Sequence, residues 1–197
     1  MSFLARLGRA RRILAQYGVA ALVRAVLAYG RRYEYLVYRR RVTEASASFP
    51  GSHVRRGSLV ELREWRDTQA HVAGPFLADE SSGWREFCWV WLEGVPAGIL
   101  WTAPDSPLLR TDAGEAVIVD LYTVPTFRGR GVASALITGA CRRLRDEGIG
   151  TVFATVETRN IASQRAFERC GFEAVGRITV QGWLRPPPRT ARWRHGF

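Results

Sequence analysis

The chain has 197 residues, 47% of them hydrophobic, enough for one ordinary domain with its own core and some chain left over. Its 29 basic residues are all arginine against 18 acids, a net charge of +11; ten of those arginines and one acid, Glu34, fall in residues 1–42, which carry +9 and leave only +2 for the rest. Three scattered cysteines (Cys88, Cys141, Cys170) and three isolated histidines (His53, His71, His195) lack metal-ligand spacing, so neither a metal site nor a disulfide framework is expected, as suits a reducing compartment.

The N-terminal segment, residues 1–42, reads as a basic amphipathic helical extension. Leu4, Leu7, Leu14, Ala21, Leu22, Ala25 and Tyr29 share one helical face. Arg6, Arg9, Arg12, Arg24 and Arg31 lie roughly opposite, Arg11 sits on the apolar side, and Gly8, Gly18 and Gly30 divide the stretch. An arginine–tyrosine cluster, residues 31–41, closes it. No run of about 18 apolar residues exists to span a bilayer, and the arginines recur through the apolar stretch, unlike those of a cleaved secretory signal. Three readings compete. An in-plane helix on an anionic cytoplasmic membrane face stands slightly ahead of a helix packed on the rest of the chain or on a second subunit. Nucleic-acid contact, which basic charge alone never excludes, stands well behind. The expected location is cytoplasmic, peripheral on the inner face of the cytoplasmic membrane under the first reading, and a homodimer is left open.

Residues 43–53 form a polar linker ending near Pro50-Gly51. A domain over residues 54–184 follows, then a basic, Pro-rich tail over 185–197. Residues 54–62 read as a first strand and 62–76 as an amphipathic helix. Residues 87–92 and 97–102 read as strands joined by a tight turn at Glu93-Gly94. Residues 103–114 form a loop, and no repeat is present. Residues 117–124 make an apolar strand that ends at Pro125. Arg128-Gly129-Arg130-Gly131 comes next, before an apolar-periodic helix over 132–144.

Strand, glycine turn and helix N-terminus together describe a pyrophosphate cradle. The first turn of a helix has unpaired N–H groups and the positive end of the macrodipole, and glycine lets the backbone come close to a ligand. The spacing departs from the dinucleotide fingerprint, because after Gly131 the next glycine is Gly139. A nucleotide-triphosphate loop is excluded because the chain has no lysine. A plain strand-to-helix turn with solvated arginines competes evenly on the turn alone. Downstream, residues 151–156 read as a buried strand, Asn160 caps a second helix, and Gly171 suits its left-handed C-terminal end before Phe172. Residues 172–178 and 179–184 read as the last two strands.

This pattern resembles the GCN5-related N-acetyltransferase (GNAT) family. Its R/Q-x-x-G-x-G/A signature is met by Arg128, Gly131 and Ala133, and its later segment, an Asn and a helix ending in Gly-Phe, by NIASQRAFERCGF. The resemblance is firm over residues 117–176, looser over 54–116, and absent before 49. It implies an α/β (α+β) fold with a mixed, mostly antiparallel sheet flanked by helices, here with the helical extension added. It also implies acetyl-CoA as co-substrate and a primary amine as acceptor. Tyr122, Thr123 and Val124 on the strand, Arg128, Gly129, Arg130, Gly131, Val132 and Ala133 in the cradle, and Asn160, Ser163 and Phe167 on the second helix are then the cofactor-binding candidates.

Asp120 is the best candidate general base, as a lone acid in an apolar strand where burial raises its pKa. A hydrogen bond at a strand bulge or plain solvent exposure competes with that role, and Glu61 and Glu157 are weaker alternatives. The family commonly places a thiolate-protonating tyrosine where this chain has Phe167, so Tyr122 is the substitute acid, or water. Cys170 is a packed helix-end residue rather than a nucleophile. Trp65, Trp84, Trp89, Trp91, Trp101 and Trp183 enrich the regions that bound the family's acceptor pocket, where they stack on sugars or, more commonly, fill core. The expected acceptor is a small-molecule amine, an amino sugar or envelope precursor if the membrane reading holds. A non-catalytic acyl-CoA-binding module is the alternative, and a protein N-terminal or lysine acetyltransferase a second one.

Overall fold

Period-two patterning yields seven strands over the residues that the computed structural model describes, 32–42, 53–58, 60–62 and 86–181. In chain order these are β1 (Arg32–Arg41), β2 (His53–Arg56), β3 (Glu86–Leu92), β4 (Val95–Ala103), β5 (Glu115–Thr123), β6 (Thr151–Glu157) and β7 (Glu173–Gln181). Helix α1 (Val132–Asp146) links β5 to β6, and helix α2 (Ile161–Arg169) links β6 to β7. The strands form one sheet in the order β2-β3-β4-β5-β6-β1-β7. Every neighbouring pair is antiparallel except β5 and β6, the pair joined by the α1 crossover. This is the mixed, mostly antiparallel α/β sheet the sequence led us to expect.

Alternation splits the core into two layers. Cys88, Leu100, Ile118, Val152 and Ala154 meet Leu136 and Ala140 of α1 and Phe167 of α2 on one face. Phe87, Trp89, Ile99 and Trp101 cluster separately, as do Val37, Val117, Phe153 and Ile178. Trp89 and Trp101 are fully buried core residues; Trp65, Trp84 and Trp183 lie outside the described residues. Close approach of α1 depends on Gly98. A Cβ there would lie 2.7 Å from the Tyr122 carbonyl oxygen and 2.8 Å from Val132 Cγ1.

The structure differs from expectation in three places. Residues 32–41 are not the end of a helical extension but strand β1, paired with β6 on one side and β7 on the other. The physical reason lies in RYEYLVYRRR. Its apolar and aromatic residues are adjacent, as a strand buried on both faces requires, and Tyr, Val and Leu favour a pleated surface over a helix. Residues 1–31 and the linker 43–52 lie outside the described residues. The strand expected over 54–62 ends at Arg56, because Ser58 and Glu61 form a capping box. The Glu61 N–H donates to Ser58 Oγ at 3.2 Å and the Ser58 N–H to Glu61 Oε2 at 2.9 Å. Residues 60–62 are accordingly helical, and the rest of the 62–76 helix falls outside the described residues. Finally, the two strands expected after Phe172 are one, β7, with a bulge opposite Val37 and Tyr38; the tail beyond it is outside the described residues.

Candidate functional site

The site begins with a strand pair that comes apart. β5 and β6 pair from Glu115↔Thr151 to Ile118↔Ala154 and no further. At that point β5 has one extra residue against β4: Thr102 faces Ile118 while Trp101 faces Asp120, so Val119 is a bulge. A bulge adds twist and bends its strand. Beyond it β5 stays with β4 as far as Gly98↔Thr123, whereas β6 stays with β1 as far as Tyr35↔Glu157. A cleft of about 840 Å³ opens at this end of the sheet, bounded by β5, the loop after it, the start of α1 and one side of α2.

The loop makes the floor. Pro125–Phe127 forms a single 3₁₀ turn, closed by the Arg128 N–H donating to the Pro125 carbonyl at 3.2 Å. Gly129 and Gly131 then take φ of +76° and +79°, a left-handed backbone where L residues are strained. A Cβ at either would meet no heavy atom within 4 Å. Gly131 is the N-cap of α1 and there is no side-chain cap. The first main-chain bond of the helix runs from the Ala135 N–H to the Gly131 carbonyl at 2.9 Å, so the N–H groups of Val132, Ala133 and Ser134 have no helical acceptor. Helix α2 is built the opposite way: Asn160 Oδ1 accepts the Ser163 N–H at 3.1 Å, and Gln164 Nε2 donates to the Thr158 carbonyl at 2.8 Å. One helix caps itself, and the other faces the cleft with its donors free of side-chain caps.

Most of the candidate residues meet here. Tyr122 and Thr123 from β5, Arg128, Gly129 and Gly131 from the loop, Val132 and Ala133 from α1, and Asn160 and Ser163 at the start of α2 all line the cleft. The Thr123 hydroxyl is buried and has no hydrogen-bond partner among the described residues. Four candidates are not among the lining residues: Asp120, one residue before the cleft-lining stretch of β5, and three cofactor candidates, Val124, Arg130 and Phe167. The Val124 N–H donates to the Ala97 carbonyl at 2.9 Å, tying the strand end to β4. Arg130 turns outward to Glu93 Oε1 at 2.6 Å and stacks over Phe127. Phe167 is 2% exposed and packed between Tyr38, at 6.0 Å, and Phe172, at 5.1 Å, in the core behind the cleft. Lining residues that sequence reasoning did not single out include Leu121, Phe127, Ser134, Arg165 and Arg169. Helical spacing from Ala162 along α2, three, four and seven residues on, was the signal that could have found Arg165, Ala166 and Arg169.

The acids near the site differ in character. Asp120, half-buried beside the bulge, has its pKa raised by burial, against which the Leu121 N–H pulls it back down. Glu61 is held below the ordinary carboxylate value by the Ser58 N–H and by Arg55 at 2.7 Å, which makes it a poor base. Glu157 closes β6 opposite Tyr35, whose phenol is raised by burial and by that carboxylate. Cys170, in van der Waals reach of Thr138 and Ser134, is buried at the α1–α2 contact. Among the described residues no cluster of His, Cys, Asp and Glu could hold a metal ion.

Residues 52–172 match the family model described as the Acetyltransferase (GNAT) family. The chain is 33% identical over 79 residues to a mycothiol acetyltransferase of Rhodococcus erythropolis, 39% of this chain and 25% of that protein. It is 37% identical over 78 residues to an L-2,4-diaminobutyric acid acetyltransferase of Streptomyces coelicolor, 38% of this chain and 42% of that one. The match thus spans less than half the length of either relative. A solved GNAT-family protein of Novosphingobium aromaticivorans superposes with a TM-score of 0.58 at 21% identity, covering 76% of this chain and 63% of its own.

Proposed function

Because the chain belongs to the acetyltransferase (GNAT) family, we propose that it transfers an acetyl group from acetyl-CoA to the primary amine of a small molecule. The observation that carries this reading is the uncapped start of α1 at the floor of the β5–β6 cleft. Its N–H groups have no side-chain cap, and the two positive-φ glycines before it hold a left-handed turn that opens onto the cleft. The residues fit the cofactor. The N–H groups of Val132, Ala133 and Ser134 with Arg128 would take its pyrophosphate. The orphan Thr123 hydroxyl and the β5 edge released by the bulge would take the polar atoms of the pantetheine arm. When bound, acetyl-CoA supplies an activated acyl group and a thiolate that departs with a proton.

The chain's own residues supply position and protons. Asp120 Oδ takes a proton from the acceptor amine; its burial favours the protonated form and so makes it a stronger base than an exposed aspartate. Tyr122, two residues along β5 and in the cleft, gives a proton on the leaving side from its hydroxyl. Holding both partners in one slot gives much of the acceleration. The acceptor is read as a small amine, an amino sugar or envelope precursor where the N-terminal segment meets a membrane. That membrane reading narrows to the chain before Arg32, with six arginines and no acid, because β1 is committed to the sheet. It fails if a variant lacking residues 1–28 binds anionic vesicles as the full chain does.

A second reading, a non-catalytic acyl-CoA-binding module, is favoured by Phe167, which has no proton to give and is sealed in the core. One experiment separates the two: calorimetric titration with acetyl-CoA, then turnover against a panel of primary amines. Micromolar binding abolished by Gly131→Glu, with turnover on a small amine, supports the enzyme. Binding without turnover on any amine supports the module, and no binding overturns both.

A further inference from the structure

The charge inside the cleft is one-sided. Among the described residues, three arginines line it, Arg128, Arg165 and Arg169, and no Asp or Glu does. Arg128 belongs to the glycine loop and is accounted for by the pyrophosphate. Arg165 and Arg169 are not. They sit one turn apart on the same side of α2, where like charges repel and isolated helices are destabilised. Among the described residues neither forms an ion pair or a side-chain hydrogen bond, whereas Glu34, Glu86, Glu93 and Glu147 each pair with another arginine. The glutamate between them in sequence, Glu168, faces away and accepts a hydrogen bond from Tyr38 at 2.9 Å. Arg169 at the last turn also suits the negative end of the α2 dipole, but Arg165 in mid-helix has no such reason to be basic.

We propose that Arg165 and Arg169 form a second anion subsite in the cleft, distinct from the helix-α1 cradle, and that it reads the ribose 3′-phosphate of coenzyme A. This inference rests on the acetyl-CoA reading of the cleft. The chemistry matches: coenzyme A has a pyrophosphate and, separately, a phosphomonoester on its ribose. A dianionic monoester is the group that two adjacent guanidinium forks bind best. The pair would make the protein selective for coenzyme A over pantetheine carriers that lack that phosphate.

The test compares the affinities of coenzyme A and 3′-dephospho-coenzyme A by calorimetry, for the full chain and for Arg165→Ala, Arg169→Ala and the double variant. The full chain should bind coenzyme A at least about tenfold more tightly than the dephospho form, since charge-assisted bonds to phosphate are strong ones. The double variant should lose that preference by weakening coenzyme A alone, and Arg165→Lys with Arg169→Lys should keep most of it. Equal affinity for the two ligands in the full chain would overturn the proposal while leaving the acetyl-CoA reading intact. Equal weakening of both ligands in the double variant would also overturn it, marking the arginines as structural. Failure of the full chain to bind either ligand would remove the acetyl-CoA reading and this inference with it.

Discussion

Asp120 has two opposed consequences that a single substitution separates. Burial holds its folded pKa above the unfolded value, so between those two values the native state binds the extra proton. Its contribution to stability therefore falls as pH rises through that window and is unfavourable at neutral pH. Asp120→Asn should raise Tm at pH 7.5 and leave acetyl-CoA affinity unchanged. It should lower kcat by about 10²–10⁴-fold, the usual weight of a general base. The acid limb of the parent's pH–rate profile should lie above the value of an exposed aspartate. A variant with full turnover would remove Asp120 from the chemistry. Phe167 makes the complementary prediction: because its ring faces Tyr38 and Phe172, Phe167→Tyr should not raise turnover. A gain of tenfold or more would place the ring's edge in the cleft. Asp120 was legible in the sequence as a lone acid in an apolar strand. The direction in which Phe167 points was not, since it depends on the Tyr38 ring, which lies on a strand 129 residues away.

Among elements, the join between β4, β5 and α1 decides whether the cradle stays in place. Gly98→Ala would bring a Cβ against the Tyr122 carbonyl and the Val132 side chain, displacing both walls of the cleft at once. Overpacking of this kind costs about 1–3 kcal/mol, so we expect a lower urea midpoint and a weaker acetyl-CoA affinity together. Loss of stability with unchanged affinity would mean that the cradle moves independently of β4. The strand–turn–helix order of this region was readable from apolar runs and glycines, because those are local signals. The Val119 bulge that opens the cleft was not, because a bulge exists only in the pairing of two strands. The Ser58–Glu61 capping box was present in the sequence as S-x-x-E and ends β2 earlier than its apolar run suggests.

For the whole molecule, the unexpected member is β1. It lies outside the 52–172 family match, yet it occupies the sheet position between β6 and β7, and Tyr38 helps bury Phe167. Removing residues 1–42 would leave two long strand edges unpaired, a template for aggregation. That variant should be insoluble or lack a cooperative thermal transition, whereas one lacking residues 1–28 should unfold cooperatively. Equal behaviour of the two variants would show that the sheet closes without β1. Charge obscured this strand in the sequence: its four arginines, Arg32 and Arg39 to Arg41, with Arg31 before them, made one continuous basic tract with the segment ahead of it.

The placement of β1 also sets an order of events during synthesis. The first described strand to leave the ribosome finds its partners only when residues 151–157 and 173–181 have followed. Until then Leu36, Val37 and Tyr38 have no native surface to bury. Closing so long a loop before any pairing compensates is slow, so β1 must wait, exposed, for nearly the whole of the described chain. A nascent chain halted after β6 would hold a half-built sheet with its cleft already formed on one side and its last seam open.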